Sequence, residues 1–184
     1  MSSLSRQEMR VALPMPARKK AKSRRTPEEP FRRDRKGRAL QEIGATIVAG
    51  GKGHDVVEEI AELVQRTCRY RWVGVYKIKR KDFVIEAATN KMRPACPRFP
   101  VTQGLSARAA EERRTVTVPD VRKEPCFLPN FWSTKSEIVV PIIDDEHDRV
   151  LGVINVESAK VNAFDKSDRD FLEGVARIIW RAIR

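Results

Sequence analysis

Residues 136–184 read SEIVVPIIDDEHDRVLGVINVESAKVNAFDKSDRDFLEGVARIIWRAIR, and the hydrophobic period changes once inside that run. SEIVVPII and RVLGVINVES are rich in β-branched residues and flank the acidic turn DDEHD, which predicts an antiparallel hairpin. Beyond it, Phe171, Leu172, Val175, Ile178, Ile179 and Ala182 recur at helical spacing. They predict a closing amphipathic helix that must bury its stripe against a sheet.

Working upstream, TVTVPDV (115–121) reads as a strand, RKEPCFLPNFWSTK (122–135) as a long loop broken by Pro125 and Pro129, and LSARAAEERR (105–114) as a helix. NKMRPACPRFPVTQG (90–104) is too rich in proline for regular structure. RWVGVYKIK and DFVIEAAT form a second hairpin around Arg80 and Lys81. DVVEEIAELVQRTCRY (55–70) carries an apolar helical face behind an Asp cap, and ALQEIGATIVAG (39–50) is a short helix with a glycine stop. GGKG (50–53) lacks the spacing of a phosphate loop and follows no strand. Strands that neighbour each other in sequence, with helices at both ends, predict an α+β fold: a central antiparallel sheet covered by helices, the N- and C-terminal helices on one face.

The net charge of +12 is unevenly spread: residues 1–40 hold 13 Lys and Arg against 4 Asp and Glu, leaving only +3 for the remainder. Residues 1–38 are therefore expected to be a disordered basic tail and 39–184 the folded domain. The cluster Arg18, Lys19, Lys20, Lys22, Arg24 and Arg25 either tracks nucleic-acid phosphates or an anionic surface weakly, or is a solvated tail. No run approaches a membrane span, no signal peptide opens the chain, and three cysteines without CxxC spacing suit neither a disulfide scaffold nor a zinc cluster. A cytoplasmic protein with reduced thiols is expected. His54 and His147 sit in polar turns too far apart for a metal site, so no metal is expected.

The run SEIVVPIIDDEHDRVLGVINVES…NAFDKSDRDFLEGVA, with VPDV and WVGVYK, resembles GAF domains over roughly residues 41–184. That resemblance implies a ligand pocket between the sheet and its connecting loops. More narrowly, WVGVY with Trp72 and Tyr76, PACPRFPV with Cys96, VPDV, and SEIVVP with Glu137 resemble the free methionine-(R)-sulfoxide reductases, a GAF subgroup. The resemblance implies an aromatic wall of Trp72 and Tyr76 and a Glu137 that receives the substrate's amino group. Departures are equally specific. GLSA stands where the subgroup has GVCG, so Ser106 replaces a recycling cysteine. Asn130 stands at the catalytic cysteine's position, with Cys126 four residues upstream. Asn155 and Glu157 replace two aspartates. No cofactor is implied, because the setting of a bilin-attaching cysteine is absent.

A thiol reductase needs a nucleophilic thiolate and a resolving thiol. Cys96 and Cys126 supply both only if the proline-containing loop shifts register; otherwise they are ordinary thiols. Alternation puts Trp72, Gly74 and Tyr76 on one face of their strand. The two aromatics line a pocket or are plain core. Glu137, Asn155 and Glu157 share a face if one register holds, and are directed either at a cationic ligand or at solvent. Phe127, Phe131 and Trp132 either lid the site or anchor the loop. The leading expectation is a small-molecule-binding GAF domain, sensory or regulatory, for an amino-acid-like or zwitterionic ligand held by Trp72, Tyr76, Glu137, Asn155, Glu157, Ser106 and Asn130. The alternatives are a divergent free methionine-(R)-sulfoxide reductase using Cys126 and Cys96, and a nucleic-acid-associated regulator acting through the tail. A homodimer through the terminal helices is the expected assembly.

Overall fold

A computed structural model describes residues 29–184. The chain runs α1 (Glu29–Val48), α2 (His54–Cys68), β1 (Trp72–Lys79), β2 (Asp82–Ala88), β3 (Arg98–Pro100), α3 (Gly104–Glu112), β4 (Val116–Val118), β5 (Ser136–Asp144), β6 (Arg149–Ser158) and α4 (Lys166–Ile183). The six strands form one antiparallel sheet in the order β3-β2-β1-β6-β5-β4. The α+β architecture expected from the sequence, a central antiparallel sheet covered by helices with the first and last helices on one face, is the one observed. Two hairpins, β1–β2 and β5–β6, are joined edge to edge by the β1–β6 pairing, which places Trp72 opposite Glu157 and Gly74 opposite Asn155.

Alternation divides the core. Val73, Val75, Ile138, Val140, Ile142, Ile154 and Val156 point to the face covered by α1, α2 and α4. Trp72, Tyr76, Val139 and Val153 point to the other face, beneath α3 and the long loops. Packing at the centre is tight: a Cβ on Gly152 would meet the Tyr76 carbonyl oxygen at 1.9 Å, so only glycine lets β6 lie against β1 there. Asp165 and Asp168 close α4's start as a reciprocal capping box.

The structure corrects several expectations. The first helix begins at Glu29, so residues 29–38, assigned to the disordered tail, are helical, and the rest of that tail lies outside the described residues. This basic stretch has no apolar stripe of its own. It is held by Lys36, whose buried ammonium reaches Asp168 Oδ1 at 2.8 Å and Ser167 Oγ at 3.0 Å, while Ala39, Ile43 and Ile47 bury one turn apart farther on. The proline-rich segment contains edge strand β3, whose three residues pair with β2, with Pro100 at its end where a missing N–H costs little. The cap residue of α2 is Gly53, with Asp55 in the first turn rather than at the cap. Among the described residues no helix is long and apolar enough to cross a membrane.

Candidate functional site

Register brings the predicted residues together. In β5–β6, Glu137 pairs directly with Glu157 and Val139 with Asn155, so Glu137, Asn155 and Glu157 share the face that also carries Trp72 and Tyr76. All five are buried. Gly74 has a specific part: a Cβ there would stand 2.2 Å from the Trp72 ring, which lies across it. The indole N–H donates to the Met92 carbonyl at 3.2 Å. Phe131 meets Trp72 edge-on at 5.3 Å and Phe99 meets Tyr76 likewise.

The long loop closes over this floor through Asn130. Its amide nitrogen donates to Glu157 Oε1 at 2.8 Å, and its amide oxygen accepts from the Tyr76 hydroxyl at 3.3 Å. Thr134 donates its hydroxyl to the other oxygen of Glu157. The Tyr76 hydroxyl also reaches the Cys96 carbonyl at 3.1 Å, and Ala95 N–H donates to the Asn130 carbonyl, so the segment around Cys96 is stitched to the same loop. Of the loop aromatics, Phe127 and Phe131 pack inward, whereas Trp132 projects 97 % exposed into solvent. Ser106 is buried on α3, the helix that roofs this face.

Two carboxyls that face each other, neither in an ion pair among the described residues, give the site its electrostatics. Burial, and then the charge of Glu157, push the Glu137 carboxyl well above the usual range, only partly offset by Asn155. Burial also raises Glu157, opposed by its bonds to Thr134 and Asn130 and by the charge of Arg71. Among the described residues neither Glu137 Oε2 nor Asn155 Oδ1, both buried, has a hydrogen-bond partner. Two orphaned acceptors beside a carboxylate pair form a place suited to a donor-rich cation, since unmet buried polar atoms are rare and costly. Desolvation and the charge of Glu157 likewise push the Cys96 thiol upward, while Tyr76 stays a neutral donor through burial.

The three cysteines are free thiols: Cys96 packs against the aromatic cluster, Cys126 is exposed, and Cys68 is half-buried on the opposite side of the sheet. Asp144, Glu146 and His147 bring ligand-type atoms within 4.8 Å of one another in the β5–β6 turn. That convergence is explained by the turn itself, since Asp144 accepts the Glu146 and His147 backbone N–H groups, the His147 ring and Arg149. Thr134 and Arg71 were missed by sequence reasoning. A lone hydroxyl in a loop and one arginine in an arginine-rich turn carry no pattern that points inward.

The family model described as GAF domain matches residues 53–183. The free methionine-R-sulfoxide reductase of Saccharomyces cerevisiae is 40% identical over 111 residues, covering 59% of this chain and 60% of that protein. GAF domain-containing protein A of Dictyostelium discoideum is 31% identical over 108 residues, 59% of this chain and 66% of that one. The match thus spans about two thirds or less of these curated relatives. Among solved structures, the reduced form of fRMsr of Staphylococcus aureus superposes with a TM-score of 0.71 at 25% identity, covering 81% of this chain and 95% of that one.

Proposed function

Because this chain belongs to the GAF domain family, we propose that its buried polar face binds the free amino acid methionine-(R)-sulfoxide and that Cys96 reduces it. The observation that carries the reading is the facing pair Glu137 and Glu157 beside the orphaned Asn155 oxygen, beneath Trp72 and Tyr76. The two orphaned acceptors, joined by the Glu157 oxygen that Asn130 releases when it moves aside, suit an ammonium group's three N–H donors, and the aromatic wall suits a thioether chain. The 40% identity with a yeast protein of that activity supports the substrate class.

Cys96 is the thiol at this site, so it takes the nucleophile's part in place of Cys126. Its thiolate attacks the sulfoxide sulfur, the oxygen passes to the cysteine as a sulfenic acid, and methionine leaves. A second thiol, Cys126 or an external dithiol, then forms a disulfide with Cys96 and releases water. In the free protein Glu157 helps keep Cys96 protonated. A substrate ammonium against Glu157 offsets that charge, so binding itself favours the thiolate. Asn130 bridges Tyr76 and Glu157 and must swing aside for substrate to enter.

The test is turnover of free L-methionine-(R)-sulfoxide with dithiothreitol, read as methionine released. Turnover lost in Cys96→Ser and kept in Cys126→Ser is the expected result; an active Cys96→Ser variant refutes the assignment. A second reading rests on Asn130 standing at the catalytic cysteine's place: a module that binds the amino acid without reducing it. Saturable binding with no turnover would select that reading.

A further inference from the structure

A cavity of about 400 Å³ opens at the end of the sheet where β1 begins and β6 ends, lined among others by Arg32, Arg69, Arg71, Lys160, Tyr70 and Glu157. Its size is within the range of small-ligand sites. Glu157 belongs both to this lining and to the carboxylate pair inside, so the cavity and the amino-acid site share a wall. The Arg71 guanidinium lies over the Phe131 ring at 5.4 Å, and Phe131 in turn packs on Trp72, so the cation is mounted on the aromatic wall of that site.

Charge in this cavity is unevenly matched. Arg32 pairs with Asp165 and Asp168, and Asp168 is further satisfied by Lys36 and the Tyr70 hydroxyl. Among the described residues Arg71 forms no ion pair, and its Nη1 is buried without a hydrogen-bond partner. Arg69 and Lys160 make no ion pair there either, and both are exposed. Glu157 spends both of its oxygens on Asn130 and Thr134. A buried guanidinium nitrogen without an acceptor is costly unless an oxyanion meets it, and the planar fork of arginine matches a carboxylate.

We infer that Arg71 anchors the α-carboxylate of the amino-acid ligand at the inner end of this cavity, with the ligand's ammonium turned past it toward Glu157 and Glu137. The inference rests on the amino-acid reading given above and adds the group that distinguishes a free amino acid from any other primary amine. A residue inside a peptide has no free carboxylate, so the same contact excludes protein-bound methionine sulfoxide. Arg71 is a specificity residue in this account, remote from the reacting sulfur.

The experiment is isothermal titration of the full chain with two probes: L-methionine-(R)-sulfoxide, and the matching amino alcohol, which keeps the ammonium and lacks the carboxylate. The unaltered protein is expected to prefer the acid by 10-fold or more. Arg71→Met is expected to lose that preference, the ratio of the two affinities falling toward one, and Arg71→Lys to recover part of it. Melting curves of both variants check that the fold is kept. If the two probes bind the unaltered protein equally, or if Arg71→Met retains the preference, the inference is overturned and the amino-acid reading stands. If neither probe binds, the amino-acid reading fails and takes this inference with it.

Discussion

Replacing Glu137 by Gln should stabilise the empty protein at neutral pH while weakening its ligand binding. Glu137 is buried, and among the described residues neither its Oε2 nor the Asn155 oxygen has a donor. Because its carboxyl is raised in the fold, the native state keeps a proton that the unfolded chain has already lost above pH ~4.5. Glu137 therefore contributes stability below the unfolded pKa and loses it as pH rises through the folded one. Glutamine mimics the protonated acid at every pH and brings a donor for one orphaned acceptor. An unmet buried acceptor costs about 1–3 kcal/mol, which at ~2–4 °C per kcal/mol for a domain of this size gives a rise in Tm of roughly 2–12 °C. Differential scanning fluorimetry from pH 5 to 8.5 reads it. The gap between variant and parent should be near zero at pH 5 and widen with pH. Loss of a charge-assisted hydrogen bond, about 1.5–3 kcal/mol, should meanwhile weaken amino-acid binding about 10- to 100-fold. A variant less stable than its parent at pH 8, or a gap indifferent to pH, would refute the reasoning.

Other perturbations reach separate parts of the molecule. Asp168→Asn leaves Lys36 buried without its counter-charge, which should cost about 3–5 kcal/mol and lower Tm by more than 6 °C; a change under 3 °C would count against the role given to this pair. Asp168 is held below its ordinary pKa in spite of burial, by Lys36, the Asp165 N–H and Tyr70. Its contribution is present above pH ~4 and lost as pH falls through the folded value, so acid unfolding of the variant should be flatter there. Gly74→Ala drives a methyl into the Trp72 ring, and near-ultraviolet circular dichroism should change with a stability loss of about 1–3 kcal/mol; an unchanged spectrum would mean that the indole does not lie across Gly74. Asn130→Cys places a thiol at the mouth of the site in contact with Glu157 and Tyr76, and methionine release should rise several-fold over the parent. No rise would show that this loop position is not within reach of the substrate sulfur.

The candidate site was legible in the sequence to an uneven degree. Strand alternation alone put Trp72 and Tyr76 on one face, and the hairpin put Glu137, Asn155 and Glu157 on one face of its two strands, given a single register. That these two faces are the same one was implied only by the family resemblance, because β1 and β6 are separated by about seventy residues and nothing local encodes their pairing. Cys126 looked like a candidate by its place in the loop, yet Cys96 is the thiol packed against the Trp72 and Tyr76 cluster while Cys126 is exposed, a distinction that belongs to the folded loops and not to spacing.

Local periodicity specified the elements that carry a strong period, α2, α4 and both long hairpins, and which residues of each strand share a face. These follow from side-chain geometry over a few neighbouring residues, which a one-dimensional pattern contains. Tertiary structure decided the rest. It extended α1 back to Glu29 by burying the Lys36 ammonium on Asp168, joined the two hairpins through β1 and β6, and drew the Asn130 loop across Glu157 and Tyr76. Each is a polar or long-range contact whose favourable energy exists only once distant segments have met, so no local period announces it.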